Sequence, residues 1–233
     1  MQAPSPSSAP RSILVDMPRG SGPHPAVVLA PGVSYHLRMP LMERLGQVLP
    51  EHGIAVFRFN WRYMDSEPQG QPSDDLSVEQ AELAAVIALA RADVRVRPDR
   101  LVVAGKSMGS VVATRIFAAD PALAGAVLLT PLISRPNAGD ATPINTADLH
   151  HGSLSSEQRP SLLVSGDRDP YCDTRQLHRF AAAATPAMRV AVVGGDHGFA
   201  TPGLEGDAAI AARNRSHDLV ARLVVDFVCS GFG

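Results

Sequence analysis

Short apolar runs alternate with longer stretches of helical periodicity along most of this chain. Segments 25–30, 54–59, 101–104, 124–129, 161–166 and 188–193 are apolar and rich in Val, Ile, Leu and Ala. Such short continuous runs read as strands buried on both faces. A weaker β-like run at 12–17 reads as an early edge strand. Between the runs, apolar residues recur at helical spacing. In 39–49 they are Leu41, Met42, Leu45, Val48 and Leu49, and Gly53 ends the helix. A second helix starts at Leu76 or Ser77 and continues to about Ala92, with Ser77 and Gln80 placed as a capping box. A third begins at Val111 and stops at Asp120-Pro121, a fourth covers 174–184, and an amphipathic helix closes the chain over 207–228. Pro98-Asp99-Arg100 reads as a turn.

Apolar strands interleaved with helices predict an α/β fold, a mostly parallel sheet of about six to seven strands covered on both faces. In such sheets, sites form at the carboxyl ends of the strands, so the residues just after each strand carry the chemical interest.

Composition narrows the class. The chain has 233 residues, 45% hydrophobic and 19% charged, with a net charge of −2. That fits one soluble domain over 12–233 and gives no electrostatic reason to expect nucleic acid or an anionic membrane as partner. Segment 1–11, rich in Pro, Ser and Ala, lacks the apolar core of a signal peptide and reads as a disordered lead-in. No apolar stretch approaches membrane-spanning length. Cys172 and Cys229 make no disulfide framework, and no Cys/His cluster has zinc spacing. The expectation is a cytoplasmic protein with no metal and no cofactor; its oligomeric state is left open.

The run at 101–104 leads directly into Gly105-Lys106-Ser107-Met108-Gly109, and a helix follows. Strand, Gly-x-Ser-x-Gly and helix together describe a nucleophile elbow. The serine sits on a tight corner with its hydroxyl pushed outward, and side chains at 105 and 109 would strike neighbouring backbone. The helix that follows leaves the Met108 N–H free to hold an oxyanion. Gly105-Lys106-Ser107 also imitates the end of a phosphate-binding loop, but that motif requires glycine where Arg100 stands.

Two later strand ends carry the complementary chemistry. Gly166-Asp167-Arg168-Asp169-Pro170 follows one, and Gly194-Gly195-Asp196-His197-Gly198-Phe199 follows the next. A serine hydroxyl needs a base to take its proton, and a histidine needs a carboxylate to fix its tautomer. Only His197, among His36, His150, His151, His178 and itself, follows a late strand with glycine on its C-terminal side. Asp167, Asp169 and Asp173 compete for the acid, and Asp196 reads as a turn residue. Trp61 and Tyr63 follow the strand at 54–59 and are substrate-binding candidates; packing beneath a loop accounts for them equally well. Cys172 reads as a small buried residue.

These stretches, with Leu29-Ala30-Pro31-Gly32-Val33 and Phe57-Arg58-Phe59-Asn60, resemble the α/β-hydrolase superfamily, and more narrowly its compact branch related to dienelactone hydrolases. The Gly-Lys-Ser-Met-Gly elbow is similar to that of a small subgroup that also contains a eukaryotic chromatin-complex subunit. The resemblance covers about residue 26 to the end. It implies an α/β-hydrolase fold with no large cap domain, the order Ser107, Asp169, His197, backbone N–H groups of Met108 and Val33 as oxyanion hole, and Gly32 beside the substrate. Two features depart from the branch: Pro31-Gly32 replaces His-Gly, and serine replaces the cysteine nucleophile. Cyclic dienelactones are therefore not expected as substrates. Two functional classes follow: a serine hydrolase cleaving small soluble carboxylic esters, or a hydrolase-fold binding or scaffold protein without turnover. Segment 131–160, rich in Pro, Ser, Asn and His and without apolar periodicity, is expected to form a short lid or rim.

Overall fold

A computed structural model describes residues 10–66, 69–185 and 187–230. Of the expected lead-in, only Pro10 and Arg11 fall among them. The centre is a seven-stranded sheet built from β1 (Ile13–Asp16), β2 (His24–Ala30), β3 (Ala55–Phe59), β4 (Val96–Lys106), β5 (Gly125–Leu129), β8 (Ser161–Gly166) and β9 (Met188–Val193), in the order β1-β3-β2-β4-β5-β8-β9. All neighbours pair in parallel except the edge strand β1, which runs antiparallel to β3.

Alternation along each strand builds two cores, one on each side of the sheet. Val27, Leu29, Val56, Val102 and Ala104 face α1 (Pro40–Glu51) and α6 (Gly206–Ser230), meeting Leu41, Leu45, Val220 and Val224. Ala26, Val28, Phe57, Leu101 and Val103 face the other way, toward α2 (Ser77–Ala92), α3 (Met108–Ala119) and α5 (Thr174–Ala183), where they meet Leu83, Val112 and Leu177. The buried Arg58 ties the edge together: its guanidinium donates to Asp16 on β1 at 2.7 Å and to the Leu37 carbonyl at 2.7 Å.

Two expectations are corrected. The Pro98 segment does not end a helix-to-strand turn but lies inside β4. His24 pairs with Val96 and Ala26 with Leu101, so residues 97–100 bulge out of the ladder, where proline's missing N–H costs no bond. The capping box at Ser77 does not form. Leu76 precedes α2 with a φ of 59°, and the Ser77 N–H is taken by Asp75 Oδ1 at 2.9 Å. Segment 131–160, expected as a short lid or rim, carries regular structure. It holds a hairpin of β6 (Ser134–Asn137) and β7 (Asp140–Asn145), the short helix α4 (Ala147–His151) and a 3-10 turn over Gly152–Ser156. Ile133, Ala147 and Leu154 are buried in the core beside α3 and α5. Its apolar anchors are too few and too unevenly spaced to show a period.

Candidate active site

β2 and β4 are neighbours, but the chain leaves β2 toward β3 on one side and must cross over to reach β4 on the other. Open α/β sheets place their site at the carboxyl ends where the winding reverses. Pro31-Gly32 leaves β2 there, and Ser107 leaves β4 there.

Ser107 joins β4 to α3 with φ 53° and ψ −121°, a strained backbone for a residue with a side chain. Its N–H donates to the Leu129 carbonyl at 2.9 Å, which fastens the corner to β5. The two elbow glycines are explained by distances. A Cβ on Gly105 would lie 2.1 Å from the Gly109 carbonyl oxygen, and one on Gly109 would lie 2.5 Å from that of Pro31. Met108 opens α3, so its N–H has no carbonyl a turn earlier in the helix to bond.

His197 and Asp169 arrive from the neighbouring strand ends. His197 Nε2 lies 2.9 Å from the Ser107 hydroxyl, and Nδ1 lies 2.9 Å from both carboxylate oxygens of Asp169. With Nδ1–H donating to Asp169, Nε2 is left to accept the serine proton. The Asp169 side chain is fully buried, and it also accepts the Tyr171 N–H at 2.8 Å. The three other aspartates have structural duties. Asp167 accepts the Gly195 N–H at 2.7 Å and laces the acid loop to the histidine loop. Asp173 caps α5 by accepting the Gln176 N–H at 2.9 Å. Asp196 accepts from Gly198 and Ala200 within its own turn. Cys172 is buried, and burial pushes its thiol up to about 12.

The substrate-binding candidates separate. Gly32 packs beside the elbow, where a Cβ would lie 3.2 Å from that of Ser107. Val33 is exposed next to it. Trp61 does not line a cleft: it is fully buried, its ring meets Phe59 edge-on, and its indole N–H donates to the Pro31 carbonyl at 2.9 Å. It anchors the loop that carries Gly32 and Val33. Tyr63 lines a cleft with Ser73, Val78, Glu79 and Glu82, and Ser107 is not among that cleft's lining residues. Burial pushes the Glu82 carboxyl up to about 7.

Two neighbours of the site were not anticipated from the sequence. The half-exposed Tyr171 sets its ring edge-on to His197, centroids 5.0 Å apart. Lys106 is buried, with its ammonium on the His197 carbonyl. A side chain following a lone Asp-Pro, or lying between two elbow residues, has no pattern that marks it. Segment 131–160 braces the acid loop: the Ile133 and Ser134 N–H groups both donate to the Tyr171 carbonyl, at 3.0 and 2.9 Å. Among the described residues no cluster of three or more His, Cys, Asp or Glu side chains could hold a metal ion, and no helix is long and apolar enough to cross a membrane.

Residues 23–226 match the family model for an alpha/beta hydrolase domain. The chain belongs to the alpha/beta hydrolase family. No curated protein gives a significant match to the sequence. Solved structures do. Est1E from Butyrivibrio proteoclasticus, with ferulic acid bound, superposes with a TM-score of 0.70 at 16% identity, over 94% of each chain. An alpha-beta serine hydrolase homologue from Coxiella burnetii gives 0.68 at 18% identity, over 91% of this chain and 90% of the other. XC6422 from Xanthomonas campestris, described as a serine hydrolase without lid, gives 0.63 at 18% identity, over 93% and 86%. At these identities the likeness is one of fold.

Proposed function

We propose that this alpha/beta hydrolase is a serine esterase acting on small, water-soluble carboxylic esters. The observation that carries the proposal is the unbroken chain of contacts from Asp169 through His197 to the Ser107 hydroxyl, each 2.9 Å long. In the reaction, the Ser107 oxygen attacks the ester carbonyl while His197 Nε2 takes its proton. The negative oxygen of the tetrahedral intermediate is held by the N–H groups of Met108 and Val33. Asp169 keeps His197 in the Nδ1–H tautomer and steadies the imidazolium. Collapse breaks the bond to the alkoxide, which leaves as alcohol with the proton from His197. A water, deprotonated by His197, then attacks the acyl-enzyme, and its breakdown releases the carboxylic acid and restores the Ser107 hydroxyl. Every step uses groups of this chain or of water. Support also comes from the descriptions of two neighbours as serine hydrolases and from the aromatic acid bound to Est1E.

A fluorophosphonate probe tests the proposal. It should label the protein stoichiometrically, and Ser107→Ala should abolish both labelling and hydrolysis of p-nitrophenyl acetate. An unlabelled wild-type protein would favour the binding or scaffold class instead.

A further inference from the structure

Lys106 lies between the elbow glycine and the nucleophile, yet it is 3% exposed. Its ammonium donates to the His197 carbonyl at 3.1 Å and stands 4.5 Å from the centre of the Tyr35 ring, a cation–π distance. Tyr35 closes the turn that begins at Pro31: its N–H donates to the Gly32 carbonyl at 3.3 Å, and its hydroxyl accepts the Leu41 N–H at 3.2 Å at the start of α1. One buried charge therefore touches both loops that must be held in place around Ser107, the one with Gly32 and Val33 and the one with His197.

A buried ammonium is costly, and an apolar chain of the same length would fill the space without that cost. What the charge adds is geometry. Holding the His197 carbonyl fixes the backbone from which the imidazole projects. The next carbonyl, that of Gly198, is held by His217 Nε2 at 3.1 Å. The histidine loop is thus pinned at two consecutive peptides.

We propose that Lys106 is a positioning residue: its charge clamps the Tyr35 turn to the His197 loop and sets the spacing of oxyanion hole and base about Ser107. The proposal rests on the esterase mechanism for its catalytic consequence, though not for the clamp itself. Lys106 touches neither the substrate nor the reacting atoms.

The clamp is sensitive to protonation. Burial pulls the Lys106 ammonium down to about 8, against the opposing pull of Asp169 and Asp196. The other titratable groups around it are Tyr35, whose phenol burial pushes up, His197, and His217 on α6, whose imidazole burial pulls down; Arg213 acts on both Tyr35 and His217. Loss of the proton removes the cation–π attraction and turns a charge-assisted bond into an ordinary one. Turnover should then fall on the alkaline side.

The test compares wild type, Lys106→Met and Lys106→Arg by ester hydrolysis across neutral and alkaline pH, by melting temperature, and by the NMR resonance of an isotope-labelled His197 carbonyl carbon. Lys106→Met should lose roughly 10- to 100-fold in kcat, the cost of a small misplacement of a catalytic group, with KM changed less than about threefold. It should melt no lower than wild type and show no alkaline fall. Lys106→Arg should recover most of kcat and carry the alkaline fall to higher pH, because a guanidinium stays charged. The wild-type carbonyl resonance should titrate near the pH of the alkaline fall, and that of Lys106→Met should not. An unchanged kcat and a flat resonance in wild type, an arginine variant no better than the methionine one, or a loss of kcat that only tracks a lower melting temperature would overturn the clamp. A titrating carbonyl in a protein that neither labels nor hydrolyses would leave the clamp standing and remove the esterase.

Discussion

The indole N–H of Trp61 donates to the carbonyl of Pro31 at 2.9 Å, and both groups are buried. Pro31 is followed by Gly32 and Val33, so a side chain at the end of β3 fixes the loop at the end of β2. Trp61→Phe keeps a ring in the core but leaves the Pro31 carbonyl without its partner, at a cost of about 1–3 kcal/mol for an unsatisfied buried acceptor. It also frees the loop that presents the Val33 N–H. We expect kcat to fall by roughly tenfold or more, with a lower denaturation midpoint. A variant with lower stability and unchanged kcat would show that Trp61 supports the core alone and has no functional hold on the Gly32–Val33 loop.

Asp169 should be the only aspartate near His197 whose charge matters for turnover. Asp169→Asn presents an amide to Nδ1 and favours the wrong imidazole tautomer; the equivalent change in serine proteases costs on the order of 10⁴ in kcat. Asp167 and Asp173 satisfy backbone N–H groups at Gly195 and Gln176, which an asparagine oxygen can still do. Their asparagine variants should lose less than about tenfold. The check is kcat for all three variants on one ester, and a larger loss at 167 or 173 would reassign the acid.

What could be read from the sequence was what is local. The elbow was legible because the collision that forces glycine at 105 involves the backbone of residue 109, four positions on. Strands and most helices were legible because burial imposes a period on neighbouring residues. His197 could be singled out by its place after a late strand. Other features depend on contacts across the fold, which no period records. Trp61 reaches Pro31 across 30 residues, and Lys106 reaches His197 across 91. Lys106 even suggested a phosphate loop, since its neighbours are those of that motif and its actual partner lies far along the chain. The hairpin and helix within 131–160 escaped notice for the same reason: α4 spans Ala147–His151 and is held by α3, not by its own pattern.

His151 should make the protein sensitive to acid. It is fully buried at the end of α4, with Nδ1 2.9 Å from the Thr114 hydroxyl. That hydroxyl donates to the Ser110 carbonyl, so it accepts from Nδ1–H. Burial, with a smaller contribution from His150, pulls His151 down to about 3, from an ordinary value of 6.5. Between those values the unfolded chain binds a proton that the folded one refuses, so stability falls as pH drops through that window. Glu82, pushed up to about 7, runs the opposite way, losing stability as pH rises from the ordinary carboxylate range. The measurement is therefore a difference. Denaturant midpoints of wild type and His151→Leu, at about pH 7 and about pH 4, should show a shallower acid loss in the variant. Parallel acid losses would mean that His151 takes up its proton in the folded state.

The shape of the site bears on which ester it prefers. Ser107 is half-buried, and the His197 side chain is 24% exposed, so the reacting groups stand close to solvent. Segment 131–160, a long insertion between β5 and β8, braces α3, α5 and the Tyr171 peptide. Near the site stand the half-exposed ring of Tyr171, packed edge-on against His197, and the exposed Val33, which follows Gly32; we expect them to offer a short apolar contact only. A methylene that enters such a contact gains about 0.8 kcal/mol, and one that extends past it gains nothing. We therefore expect kcat/KM in a p-nitrophenyl ester series to peak at acyl groups of roughly two to four carbons and then level or fall. Lipid micelles should not activate the enzyme, because segment 131–160 is paired into a hairpin and anchored in the core by Ile133, Ala147 and Leu154. A peak at about eight carbons or more, or activation by micelles, would require a deep acyl channel opened by movement of segment 131–160, and would overturn the preference for small soluble esters.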